Sequence, residues 1–124
     1  MLPLSGIKVL DFSTLLPGPL ATLMLAEAGA EVIKIERPGT GDDMRRYQPF
    51  TESDNPNFAL LNRGKTSLSV DLRDAAQRDA VLEMVQDTDV IVEQFRPGVM
   101  KRLALDFDSV RKINPRIIYC SITG

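Results

Sequence analysis

A strand–helix–strand pattern over residues 7–36 limits the folds open to this chain more than any other feature. Residues 7–12 and residues 31–36 are apolar runs rich in Val and Ile, whose β-branched side chains favour an extended backbone. Between them, residues 20–28 are strong helix formers and apolar nearly all round, which predicts a helix covered on more than one side. Gly29 follows at the usual helix stop. Two strands joined by a helix lie parallel, with a right-handed crossover.

The same alternation continues along the rest of the chain. Three further strands are predicted over residues 67–72, 88–95 and 116–122, with helices over residues 57–62, 75–86, 97–103 and 106–113. Residues 38–57 are an irregular stretch in which Met44, Tyr47 and Phe50 are scattered anchors. The pattern predicts one α/β domain over residues 1–124, with a Rossmann-like, open, mostly parallel sheet and helices on both faces.

Composition excludes several classes of function. The formal net charge of −2 gives no overall attraction to nucleic acid or to an anionic membrane. No stretch approaches the roughly 20 apolar residues of a membrane span, and the N-terminus does not read as a signal peptide. The chain has no histidine, which excludes His-based triads and His-ligated zinc within it. Its single cysteine, Cys120, is predicted to be a small buried residue, and we expect no metal and a cytoplasmic location.

The turn after the first strand argues against a nicotinamide dinucleotide. A Gly-x-Gly-x-x-Gly sequence would be needed there, but residues 13–19 contain one glycine and two prolines. Glu36 ends the second strand where an acidic residue could hold a ribose, and Arg37 stands beside it. A guanidinium at the carboxyl end of a parallel strand suits a phosphate on the ribose, which coenzyme A (CoA) carries together with a pyrophosphate.

Further basic residues follow the third and fourth strands. If the sheet is ordered as expected, Arg37, Arg73, Arg96 and Arg102 lie near its carboxyl edge. The helix opened by Pro97 and Gly98 would add free N–H groups, and the turn of Leu15, Leu16 and Pro17 could form a wall for adenine. The alternatives are solvated arginines, turn charges at Arg63 and Lys65, and leucines that are ordinary core.

Several motifs together resemble the opening of family III CoA-transferases. This family includes formyl-CoA and carnitine CoA-transferases and the α-methylacyl-CoA racemases. The resemblance runs the whole length of the chain and implies that the chain is the N-terminal segment of a larger fold. It rests on the motifs at residues 4–12, 17–19, 29–37, 62–65, 70–72, 89–93, 95–98 and 114–116.

The resemblance implies a role for ten residues in binding CoA. Leu15, Leu16 and Pro17 match the turn that lines the adenosine pocket, and Arg37 matches an arginine that contacts the nucleotide. Val70 and Arg73 match positions beside the adenine and its ribose phosphate. Gln94, Phe95 and Arg96 match the segment past the fourth strand that borders CoA. Arg102 matches a further phosphate-binding arginine.

The resemblance covers only about the first third of a family member, and the catalytic aspartate of the family comes later. Nothing here matches that aspartate or the racemase histidine, so no catalytic residue is assigned, and Asp11, Asp71 and Asp89 are interpreted as structural. We therefore expect the CoA- or acyl-CoA-binding portion of a transferase that moves CoA between carboxylic acids, inactive alone and homodimeric when complete. The alternatives are the N-terminal part of a racemase and a standalone nucleotide-binding module.

Overall fold

The computed structural model describes residues 1–47 and 55–123, so Phe50 lies outside the described residues. Strands and helices alternate along the chain as predicted. The strands are β1 (Lys8–Asp11), β2 (Glu31–Glu36), β3 (Thr66–Ser69), β4 (Val90–Glu93) and β5 (Ile118–Ser121). The helices are α1 (Pro17–Glu27), α2 (Pro56–Asn62), α3 (Ala75–Val85), α4 (Val99–Arg102) and α5 (Phe107–Ile113), and Asp43–Arg46 forms a 3₁₀ turn.

The five strands form one sheet in the order β3-β2-β1-β4-β5, and every neighbouring pair is parallel. Leu10 of the central β1 lies opposite Ile33 of β2 on one side and Ile91 of β4 on the other. β2 and β3 lie on one side of β1, and β4 and β5 lie on the other side, so the strand order reverses between β1 and β4. The predicted α/β class is confirmed, and the carboxyl ends beside this reversal are where open parallel sheets bind ligands.

Alternate residues of the strands face two separate apolar cores. Leu10 and Ile91 face the core that α3 and α5 cover, which includes Val81 and Val110. The other face carries Val9, Val32 and Val92, against which Leu25 and Ala26 of α1 pack. Helices therefore cover both faces of the sheet, as predicted, and the period-2 alternation of a strand explains which residues enter which core.

Helix α1 begins at Pro17, three residues before the predicted start. Proline is favoured in a first helical turn, where its missing N–H needs no partner. The helix packs on the sheet and beside α2, but its outer side is bare, since Met24 is 60% exposed. The prediction of a helix covered on more than one side is therefore confirmed, and a third side stays exposed.

Two residues differ from their predicted surroundings. Cys120 is exposed rather than buried, because β5 is the edge strand and pairs only with β4 among the described strands. Lys65 is not a solvated turn charge: its side chain is buried, and its Nζ lies 2.9 Å from both the Pro19 carbonyl oxygen and Asn62 Oδ1. Arg63, by contrast, is an exposed turn residue that pairs with Glu27.

Candidate functional site

A cleft of about 750 Å³ opens at the carboxyl edge of the sheet. Phe12 follows β1, Arg37 follows β2, Val70 follows β3 and Phe95 lies just beyond β4, so four strands deliver residues to it. Its further lining includes Ile35, Leu72, Arg73, Val99, Arg102 and Leu103. The cleft thus combines an apolar interior with basic side chains, a composition that suits a flat base carrying phosphate.

Arg37 is held by the loop that follows β2. Its Nε donates to Thr40 Oγ1 at 2.9 Å and to the Gly41 carbonyl oxygen at 3.1 Å, and its Nη2 pairs with Asp43. A hydrogen bond from Arg46 and the nearby charges of Arg37 and Arg46 lower the pKa of Asp43, which keeps it ionised. The Arg37 side chain is still 56% exposed, so its guanidinium is oriented without being buried.

Arg73 and Arg102 lie in the same cleft and are less constrained. Arg73 is 91% exposed and approaches Asp71 at 3.4 Å, while the Arg73 backbone N–H also donates to that carboxylate at 3.0 Å. These contacts lower the pKa of Asp71. Within residues 1–47 and 55–123, the Arg102 guanidinium has no ion pair and no side-chain hydrogen bond. Three arginines, two from loops and one from the end of α4, therefore share one cleft.

Glu36 lies in the cleft wall, but its carboxylate is not available to a ribose. It accepts hydrogen bonds from the Asp42 N–H at 2.8 Å, from Arg45 at 2.9 and 2.8 Å, and from the Ser67 hydroxyl. Burial alone would raise the pKa of Glu36, yet these hydrogen bonds and the Arg45 charge outweigh burial and bring the pKa to about 2. The carboxylate that could hold a dinucleotide ribose is thus occupied by hydrogen bonds within the protein.

Five of the ten predicted site residues do not line this cleft, and the fifth, Arg96, is described below. Leu15 packs on the small cluster of Met44, Phe58 and Leu61, and Leu16 and Pro17 are exposed at the start of α1. Gln94 donates from Nε2 to the Thr14 carbonyl oxygen at 2.8 Å and to Thr14 Oγ1 at 3.2 Å.

The Gln94 side chain therefore fixes the turn after β1, and that turn reaches the cleft through Thr14. Among the fully buried side-chain nitrogen and oxygen atoms of the described residues, Gln94 Oε1 is the one without a hydrogen-bond partner.

Arg96 faces a second cavity, of about 320 Å³, on the other side of Phe95. Lys101 and the buried Glu93 share that cavity. The predicted ring of four arginines is therefore divided, with three in the cleft and Arg96 outside it. Helix α4 is a single turn, so the predicted contribution of its N–H groups to an anion site is small.

A buried charged cluster borders the cleft through Asp42, and it was not among the features predicted from the sequence. Lys34 Nζ lies 2.8 Å from Asp42 Oδ2, and both side chains are buried. Lys65 Nζ lies 3.5 Å from Asp11 Oδ2, and burial lowers the pKa of Lys65 to about 8. The sequence does contain a signal for this cluster: Lys34 interrupts the apolar run 32–35, and a charge at a buried strand position needs a partner.

Of the three aspartates interpreted as structural, Asp11 and Asp89 hold neighbouring backbone and hydroxyl groups, whereas Asp71 lines the cleft. Asp11 accepts from the Ser13 N–H at 2.8 Å and from Thr22 Oγ1 at 2.5 Å, and Asp89 accepts from the Lys8 N–H at 2.9 Å. Over residues 1–47 and 55–123, no three His, Cys, Asp or Glu side chains gather in a way that could hold a metal ion. Over the same residues, none of the helices has the length and apolar character needed to span a bilayer.

Comparison with known proteins agrees with the resemblance drawn from the motifs. The chain is 46% identical over 122 residues to an acetyl-CoA:oxalate CoA-transferase of Acetobacter aceti, a match that covers 98% of this chain and 31% of that protein. It is 44% identical over 125 residues to the succinyl-CoA:glutarate CoA-transferase of Mus musculus, covering 100% of this chain and 29% of that protein. The chain therefore spans about a third of the length of these relatives.

A solved structure gives the same result for the fold. A CAIB/BAIF family protein from Brucella suis superposes with a TM-score of 0.93 at 40% identity, over 99% of this chain and 34% of that one. A sequence model of CoA-transferase family III matches residues 4–124. The chain thus belongs to CoA-transferase family III, of whose members it represents the N-terminal part.

Proposed function

We propose that this chain forms the nucleotide-binding part of a family III CoA-transferase, and that the cleft at the carboxyl edge holds the adenosine end of CoA. The observation that carries this proposal is the meeting of Arg37, Arg73 and Arg102 in one cleft with an apolar interior. Three guanidinium groups suit a ribose phosphate and a pyrophosphate, because each offers a permanently charged, forked donor. Val70 and Phe95 provide apolar surface for the adenine.

The commitment of Glu36 to Arg45 and Ser67 supports CoA over a nicotinamide dinucleotide. A free carboxylate at this position would accept from ribose hydroxyls, and here its oxygens are already occupied. The neighbouring Arg37 instead favours a ribose that carries phosphate. Contacts of CoA with Leu15, Leu16, Pro17, Gln94 and Arg96 stay predictions of the resemblance and are no part of the cleft proposal, since these residues lie outside the cleft.

For the complete protein we propose CoA transfer between carboxylic acids, since the two relatives named above are transferases that act on oxalate and glutarate. In that chemistry, the family aspartate attacks the thioester carbonyl and expels the CoA thiolate, which leaves a mixed anhydride. The thiolate then attacks the aspartyl carbonyl and releases the donor acid, which leaves an aspartyl-CoA thioester. The acceptor carboxylate attacks this thioester and expels the thiolate, and the thiolate finally attacks the acceptor carbonyl of the second anhydride, which gives the new CoA thioester and frees the aspartate. Because no residue of this chain is assigned that role, we expect the chain alone to be inactive.

Isothermal titration calorimetry tests the binding proposal. CoA should bind more tightly than dephospho-CoA, which lacks the ribose phosphate, and than ATP or NADP. Arg37→Ala should weaken CoA binding by about 1.5–3 kcal/mol, because a charge-assisted hydrogen bond is lost. Arg111→Ala is the matched control, since Arg111 is also exposed and paired with an aspartate, on α5. Equal affinities for CoA and dephospho-CoA, or equal effects of the two substitutions, would contradict the proposal.

A second experiment concerns catalysis and the alternatives. The purified chain should not exchange CoA between an acyl-CoA and a free acid, and it should not exchange the α-proton of a methyl-branched acyl-CoA. Measurable turnover in either assay would show that a catalytic group had been overlooked. Absence of binding to CoA and to the other nucleotides would favour an inert piece over both a transferase portion and a standalone binding module.

A further inference from the structure

A fully buried ion pair connects two of the loops that line the cleft. Lys34 projects from β2, and Asp42 belongs to the loop after β2. Their charged atoms lie 2.8 Å apart, with the side chains 1% and 0% exposed. A buried pair of this kind adds little stability compared with apolar residues of similar size, because both charges lose their hydration. Stability alone therefore does not account for its presence, and its contacts indicate another role.

Each member of the pair also holds the turn after β1. Lys34 Nζ donates to the Ser13 carbonyl oxygen at 2.9 Å. The Leu15 N–H donates to Asp42 Oδ1 at 3.0 Å, and the Met44 N–H donates to the same oxygen at 2.9 Å. One carboxylate thus joins the turn at residues 13–15 to the 3₁₀ turn at residues 43–46.

The backbone of Leu15 shows that this turn needs such a support. Its φ angle is +66°, in the left-handed region that a residue with a Cβ rarely adopts. Such a conformation persists only where surrounding contacts fix it. For Leu15 those contacts are the hydrogen bond to Asp42 and the packing of its side chain on Met44 and Phe58.

The two joined loops both line the cleft. Thr14 lines it from the turn after β1, whereas Arg37, Gly41 and Asp43 line it from the loop after β2. The ion pair lies between the two loops and bonds to both, so the position of one loop relative to the other depends on it. We infer that Lys34 and Asp42 are a positioning pair, which fixes the separation of the two loops and thereby places Arg37 for a phosphorylated nucleotide. This inference rests on the proposed function for the identity of the ligand, but not for the coupling of the loops.

The test measures loop coupling and CoA affinity separately. In Lys34→Met, the amide hydrogens of Leu15 and Met44 should both exchange about tenfold faster, while the amides of β1 keep their protection. CoA affinity should fall about tenfold, because the cleft no longer has a fixed width. Lys34→Arg keeps a cation beside Asp42 and should restore most of both properties.

Two further variants keep the inference falsifiable. If Lys34→Met does not fold, the double variant Lys34→Met/Asp42→Asn removes both charges and leaves no unpaired charge in the interior. Val110→Ala is the matched control, since Val110 is buried on α5 away from the cleft. It should lower stability and leave CoA affinity within about threefold of the parent chain.

The outcomes separate the inference from the function on which it draws. CoA affinity that falls as much in Val110→Ala as in Lys34→Met would show a general effect of stability and overturn the positioning role. Unchanged exchange at Leu15 and Met44 in the folded variant would also overturn it. If the parent chain does not bind CoA, the proposed function fails, and the exchange data alone then decide whether the pair couples the two loops.

Discussion

The Glu36 carboxylate and the Arg45 guanidinium form a two-point ion pair, with Arg45 Nε 2.9 Å from Oε1 and Arg45 Nη2 2.8 Å from Oε2. The same carboxylate accepts from the backbone of Asp42 and from the hydroxyl of Ser67. Glu36 therefore ties the end of β2 to the following loop and to β3. Glu36 is 5% exposed, and two donors on each of its oxygens take the place of the water that burial removes.

The ionisation of Glu36 makes a prediction about acid stability. Its pKa of about 2 lies below the ordinary 4.5, so the unfolded chain binds a proton more readily than the folded chain in this window. The stabilisation is present above the ordinary pKa and is lost as the pH falls toward the folded value. We expect urea unfolding midpoints to fall more between about pH 5 and pH 3 for the parent chain than for Glu36→Gln. Parallel losses in the two proteins would contradict this.

The close packing around Gly18 in the first turn of α1 predicts that a larger residue there lowers stability. A Cβ at this position would lie 2.1 Å from Ser13 Cβ and 2.7 Å from Gln94 Oε1, so the turn after β1 would have to move. We expect Gly18→Ala to lower the free energy of unfolding by about 2–4 kcal/mol.

Gly64→Ala is the control for Gly18→Ala. Gly64 has a φ of +78°, and a Cβ added there would meet no described atom within 4 Å beyond its chain neighbours. Only backbone strain of about 1–2 kcal/mol is therefore expected from this substitution. Denaturant unfolding of both variants measures the difference. A Gly18→Ala variant as stable as Gly64→Ala would show that the turn can adjust to the added methyl group.

Arg102 and Arg96 allow the cleft to be compared with the cavity beside it. Both are basic residues near α4, but Arg102 lines the cleft and Arg96 lines the second cavity. We expect Arg102→Ala to weaken CoA binding about tenfold and to reduce its salt dependence, because a phosphate contact is lost. Arg96→Ala should change the affinity less than about threefold. Calorimetry at two salt concentrations checks both, and the reverse order would move the nucleotide to the second cavity.

The bare side of α1 predicts self-association. Leu16, Leu20 and Met24 are spaced four residues apart on one side of the helix or just before it, and Leu60 is exposed on the neighbouring α2. Contiguous apolar surface of this kind is typical of an interface. We expect the parent chain to self-associate in analytical ultracentrifugation, in line with the homodimer that the resemblance implies.

Met24→Glu tests this surface, and Ile113→Glu is the control. Met24→Glu places a charge on the bare side of α1 and should shift the chain toward monomer. Ile113 is also partly exposed, but on α5, so Ile113→Glu should not change the association. A parent chain that stays monomeric over roughly a hundredfold range of concentration would contradict the prediction.

The order of strands and helices and the parallel sheet could be predicted from the amino-acid sequence. The signals for these are local: β-branched runs such as Val32 and Ile33, the helix stop at Gly29, and Asp74, whose side chain accepts from the N–H groups of Ala76 and Gln77 at the start of α3. The order of motifs also indicated the family. Because the carboxyl ends of parallel strands share one edge, the sequence also predicted that Arg37, Arg73 and Arg102 would lie near one another, as they do.

Which charged residues are buried, and which cavity each arginine lines, depend on the tertiary structure. Lys34 and Lys65 are buried with ion-pair partners at least eight positions away, and no local pattern contains those partners. Arg96 and Arg102 are six positions apart, yet Phe95 and the single turn of α4 direct them into different cavities. Cys120 is exposed because β5 lies at the edge of the sheet, a position set by the topology of all five strands.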